Sequence, residues 1–235
     1  MIRMSLPVVA LLACTANQPV DKGTDTATEV AIGPCSAYMG ASGLGTTWEY
    51  EHWSEYDSTS FGSMVAEVTE YDEVAGRLVV TESGDIPIPP SLVPTEGPLT
   101  GIWTYDYRCR ATGVFLREVH YQATYGTGYW SRTTYDPEIM HVPNNPTVGD
   151  SWTATVTVTG EQDGDPMTLE QDVRLDVLGQ AEKTVPAGTY DTFEVVHTLS
   201  AVDGVTSDVD PTTTWFAEDV GAVKKEVSEL VSVTP

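Results

Sequence analysis

From Thr46 onward the chain alternates apolar and polar residues with a period of two, and this alternation constrains its fold more than any other feature. In GIWTYDYRC (101–109), Trp103, Tyr105, Tyr107 and Cys109 fall on one face, with Thr104, Asp106 and Arg108 on the other. That is the pattern of a half-buried strand, whose successive side chains point to opposite sides of a sheet. SWTATVTVT (151–159) sets Trp152, Ala154, Val156 and Val158 against a row of threonines. TLEQDVRLDVLG (168–179) sets Leu169, Val173, Leu175 and Val177 against Glu170, Asp172, Arg174 and Asp176. DTFEVVHTL (191–199) continues with Phe193, Val195, His197 and Leu199. Further candidate strands cover 46–53, 63–70, 76–83, 113–124, 212–217 and 222–233. No stretch carries an amphipathic helical stripe of useful length. About ten strands with Gly, Asp and Pro turns between them predict an all-β antiparallel domain, a barrel or a strongly curved sheet.

The N-terminus follows a different pattern. Arg3 precedes an apolar run from Met4 to Ala13 interrupted by Pro7, the layout of a secretory signal peptide. At roughly 20 residues needed to cross a bilayer, the run is too short to span one. It ends in Leu11-Leu12-Ala13-Cys14, which resembles the lipobox of bacterial lipoproteins. The resemblance implies acylation of the Cys14 thiol, cleavage before it, and a mature chain anchored by lipid. Two or three acyl chains, at about 0.8 kcal/mol per buried methylene, give stable anchoring where one would be marginal. Residues 1–13 therefore read as the signal peptide and 14–33 as a flexible tether beginning at the lipidated cysteine. Residues 34–235 read as a single antiparallel β domain. Thr15 follows the cysteine where Asp would suggest inner-membrane retention in enteric bacteria, so the resemblance favours the outer membrane, on its periplasmic or surface face.

Charge excludes one class of partner. Loss of residues 1–13 removes Arg3 and no acid, leaving 10 Lys+Arg against 35 Asp+Glu, or 10 − 35 = −25. Such a surface repels nucleic acid and anionic headgroups, so the membrane is reached through the lipid alone. The acidity itself reads as solubility or salt adaptation, with cation binding the alternative. Cys35 and Cys109 are an even pair in an exported chain, which reads as a disulfide; two buried thiols, or a metal pair lacking its other ligands, are the alternatives.

The C-terminal third carries VGDSW (148–152), TVPAGTYDTFEV (184–195) and TWFAEDVGAVKKE (214–226). These segments resemble a group of uncharacterised bacterial exported lipoproteins with a VPAGT(F/Y) hairpin and a W(Y/F)A..VG.VK.E final hairpin. The resemblance implies a fold similar to the unclosed barrel of the lipoprotein carriers LolA and LolB, and implies no activity. Pro186-Ala187-Gly188 and Gly221 supply turns, Trp215 and Phe216 point to opposite faces, and Lys224 and Lys225 would protect the edge of a final strand.

Chemistry is sparse. His52, His120, His141 and His197 show no metal-ligand spacing, and no cofactor is implied. Asp163-Gly164-Asp165 and Asp208-Val209-Asp210 read as turns rather than calcium loops. The proline-rich IPIPPSLVPTEGP (86–98) reads as a stiff connection. Residues 101–135 hold nine aromatics, including Trp103, Tyr105, Tyr107, Tyr129 and Trp130, either core or a recognition surface for an apolar ligand or an envelope protein. The leading expectation is a non-enzymatic binding or interaction module with a concave β surface. The alternatives are an envelope hydrolase with a carboxylate cleft and a structural or adhesive surface module.

Overall fold

The computed structural model describes residues 35, 37–40, 43–53, 61–85, 100–124, 129–201 and 211–235. Cys14, the tether, the proline-rich segment and Asp208–Asp210 lie outside the described residues. A 3-10 turn, Ala37–Met39, precedes twelve strands: β1 (Thr47–Trp53), β2 (Phe61–Asp72), β3 (Arg77–Asp85), β4 (Thr100–Arg110), β5 (Gly113–Thr124) and β6 (Tyr129–Pro143), followed by β7 (Ser151–Gln162), β8 (Asp165–Val185), β9 (Gly188–Ala201), β10 (Thr212–Ala217), β11 (Gly221–Lys225) and β12 (Ser228–Thr234). Each pairs antiparallel with its chain neighbours, and β1 also pairs with β12, from Thr47↔Thr234 to His52↔Ser228.

The sheet is thus a closed barrel of twelve strands, not an unclosed sheet of about ten. An open sheet would leave the N–H and C=O groups of β1 and β12 unpaired along two edges; closure pairs them. Two strands account for the difference in number. The segment 222–233 is two strands, β11 and β12, separated by a turn at 226–227. β6 breaks the alternation because Pro137 cannot donate to a ladder. Its register against β5 jumps from Glu118↔Thr134 to Leu116↔Ile139.

Turn chemistry follows the sequence. Gly188 at φ 145° and Gly221 at φ 93° take backbone conformations that side chains disfavour, at the starts of β9 and β11. Asp163 (φ 50°) and Gly164 (φ 94°) form the two-residue β7–β8 turn, the Asp-Gly signature of a tight hairpin. The interior between is apolar: Leu78, Leu116, Ile139, Val195, Phe216, Val223 and Leu230 are all fully buried.

One end of the barrel is plugged by the residues before β1. Tyr38 packs edge-on against Phe193 at 5.7 Å, and Met39 is buried. Gly40 has φ 81°, and a Cβ there would lie 2.6 Å from the Val220 carbonyl oxygen and 2.8 Å from the Trp48 ring. Trp48 Nε1 donates to that same Val220 oxygen at 2.7 Å. A disulfide between Cys35 and Cys109, with a Cα–Cα distance of 4.8 Å, ties the plug to β4. All these contacts lie within residues 35–235, so a chain starting at residue 34 contains the whole described domain.

Candidate functional site

The opposite end of the barrel is built differently. Alternation sends Trp48, Tyr50 and His52 of β1 inward, as it does Leu78, Val80 and Glu82 of β3 and Val223 and Lys225 of β11. In each strand the inward residues are apolar near the plug and become titratable toward the far rim. Lys225 reaches past β12, β1 and β2 to form an ion pair with Glu82 Oε1, both side chains being largely covered. Its ammonium sits 4.9 Å from the centre of the Tyr50 ring, an attractive cation–π geometry. Tyr50 itself donates its hydroxyl to the Ala222 carbonyl at 2.9 Å.

β4 supplies the other wall. Tyr105 donates to Glu82 Oε2 at 3.3 Å and stacks over Tyr107 at 6.0 Å. Trp103, opposite Glu82 in the β3–β4 ladder, stacks on Tyr121 of β5 with ring centres 4.8 Å apart. Trp103, Tyr105 and Tyr107 therefore do share a face, as alternation predicts. Their environments diverge: Tyr107 is buried in the core, whereas Trp103 and Tyr105 are half-buried, the Tyr105 hydroxyl being the covered end against Glu82. Both rings thus point into the barrel toward the end away from the plug and are less covered than Tyr107. Ser131, Thr133, Gln171 and Thr212 are half-exposed on the same inner surface.

Burial controls the titration of this wall. It raises the Tyr105 and Tyr107 hydroxyls well above the ordinary phenol range, with the Glu82 charge adding to it. It lowers His52, with the Lys225 charge acting in the same direction and Glu82 opposing. Deeper in, His141 and His197 stack at 5.9 Å. Desolvation takes His141 well below the usual imidazole value, and His197 falls to about 4. Tyrosines and histidines of the interior are thus neutral at neutral pH. The working charges are Glu82 and Lys225. His52 Nδ1 is buried with no hydrogen-bond partner among the described residues.

Trp130 and the Trp103 set lie on different faces: Trp130 pairs with Gln122, shares the outer face of β6 with exposed Arg132, and meets His120 edge-on at 6.5 Å. The cause is the one-residue parity of the register, which gives adjacent residues opposite faces. Tyr129 pairs with Ala123. Lys225 guards no edge, since a closed barrel has none, and it points inward; Lys224 turns outward to Glu229. Asp163 ties its turn to β6, its carboxylate accepting from the Trp130 backbone N–H at 3.0 Å, and no group of metal-ligating side chains occurs among the described residues.

No protein-family profile and no curated protein matches the chain. Two solved structures are similar to it. One is a "putative lipoprotein" of Parabacteroides distasonis, 14% identical, covering 86% of this chain and all of that one, with a TM-score of 0.46. The other is a "putative exported protein with YmcC-like fold" of Bacteroides fragilis, 14% identical, covering 88% of this chain and all of that one, with a TM-score of 0.47.

Proposed function

We propose that this chain is a lipid-anchored protein of the bacterial cell envelope that binds a ligand in the mouth of its barrel rather than catalysing a reaction. The anchor is Cys14, and the outer membrane is its destination. The observation that carries the binding reading is the inner wall of the mouth, where half-exposed Trp103, Tyr105 and Tyr121 stand beside the Glu82–Lys225 pair. Eight-stranded barrels are filled by their own side chains or hold one small ligand, and larger ones enclose wider cavities or channels. Both oxygens of Glu82 are engaged, one by Lys225 and one by Tyr105, which holds the acid as a fixed acceptor. A disulfide joining the plug to β4 suits an oxidising envelope.

Labelled palmitate tests the anchor. The parent protein should incorporate it and the Cys14→Ser variant should not; a parent that takes up no label refutes the lipid anchor. For the mouth, a naphthylamine probe should gain emission saturably with the 34–235 domain.

A further inference from the structure

We infer that the mouth of the barrel takes an uncharged saccharide, its sugar ring stacked on Trp103 and its hydroxyls bonded around Glu82 and Lys225. This rests on the binding reading above and narrows it to a ligand class. The argument comes from which inner-wall residues water reaches. The aliphatic groups of the interior, among them Leu78, Leu116, Ile139, Val195, Val223 and Leu230, are sealed below the site. The less covered part of the wall is mainly aromatic and hydroxylic, formed by Trp103, Tyr105 and Tyr121 with Ser131, Thr133 and Thr212, and Leu169 and Met167 of β8 are its aliphatic members. An acyl chain would find mainly Leu169 and Met167 as aliphatic partners and would strip water from the hydroxyl-bearing residues around them, which is costly where no hydrogen bond replaces it.

A pyranose matches the same wall on both counts. One face of the sugar ring presents a patch of C–H groups that packs on an indole, and Trp103 is held flat by Tyr121 beneath it at 29°. The ring edge carries hydroxyls that both donate and accept. Glu82 accepts only and Lys225 donates only, so the pair offers both halves of a hydroxyl's hydrogen-bonding capacity. Net charge selects among sugars: with 35 acids against 11 bases in the chain, a polyanionic glycan is repelled before it reaches the mouth.

The experiment is calorimetric titration of the 34–235 domain with hexasaccharides of glucose, mannose and N-acetylglucosamine, with the naphthylamine probe titrated in parallel. At least one hexasaccharide should bind saturably. Trp103→Leu, which keeps bulk and removes the ring, should weaken it about tenfold, within the range of an aromatic anchor. Glu82→Gln should also weaken it, and Trp215→Ala, on the outer face, should not. Circular dichroism checks that each variant keeps its sheet. Saturable probe binding with no response to any hexasaccharide overturns the saccharide inference and leaves a mouth for apolar ligands. Hexasaccharide binding indifferent to Trp103→Leu and Glu82→Gln overturns it by placing the sugar elsewhere. Silence of both titrations brings down the binding reading as well.

Discussion

Replacing both Cys35 and Cys109 by alanine should lower the stability of the domain by about 4 kcal/mol. The two cysteines are separated by 74 positions in the sequence. The chain-entropy relation for a loop of that length gives about −15 cal/mol/K, or roughly 4 kcal/mol at 25 °C. For a domain of this size each kcal/mol moves the midpoint of thermal unfolding by about 2–4 °C, so the melting temperature should fall by about 8–16 °C. Alanine is preferred to serine because Cys109 is buried, and a hydroxyl there would add its own desolvation cost. Equilibrium urea unfolding of parent and variant, each with and without reductant, supplies the measurement. The reductant should destabilise the parent to the level of the variant and leave the variant unmoved. Hydrogen exchange should show the largest local change at Tyr38–Gly40, the plug that the cross-link holds against Val220 and Phe193. A loss below about 1 kcal/mol with an unchanged sheet spectrum would refute the reasoning, because it would mean the cross-link does not restrict the unfolded chain as the relation requires.

The Glu82–Lys225 pair should behave as a coupled unit: Lys225→Met strands a carboxylate inside the barrel and should cost about 2 kcal/mol, less than a fully buried pair because both groups keep some water access. Adding Glu82→Gln to it should recover about 1 kcal/mol, and strictly additive single effects in urea unfolding would contradict the coupling. Acid should destabilise the fold through His197, whose folded value of about 4 lies below the ordinary 6.5 because of burial. A depressed imidazole contributes its full stability above the unfolded value and loses it as pH falls through the window from about 6.5 to about 4. The urea midpoint should therefore drop across that window and drop less in His197→Gln, with parallel curves counting against the assignment.

How far the sequence reached can be read from particular residues. Strands with clean alternation were legible: Trp152, Ala154, Val156 and Val158 do face inward on β7, and Phe193, Val195, His197 and Leu199 on β9, because burial of one face fixes the register. β6 was hidden because Pro137 and its bulge destroy the period of two. Closure was hidden because the pairing of β1 with β12 joins residues that share no local signal. The mouth was half visible. Trp103 and Tyr105 stood out as aromatics, while Glu82 went unmarked, Lys225 read as the guard of a strand edge and His52 only as a histidine without ligand spacing. Each occupies the apolar register of its strand, after Leu78 and Val80, after Val223, and after Trp48 and Tyr50. A titratable residue at an inward position is the signal that would have found them, since burying a charge without a partner is costly.

The seam between β1 and β12 also sets a timetable. Every other ladder joins strands adjacent in sequence and can form by local collapse, but Thr47 must wait for Thr234, the last strand residue of the chain. Loop-closure entropy makes so distant a pairing late and slow. A chain threaded across a membrane from its N-terminus would expose β1 as an unpaired edge until the final residues emerged. Throughout that interval Glu49 and Glu51, exposed on β1, are the charges that keep the waiting strand from pairing with a stranger.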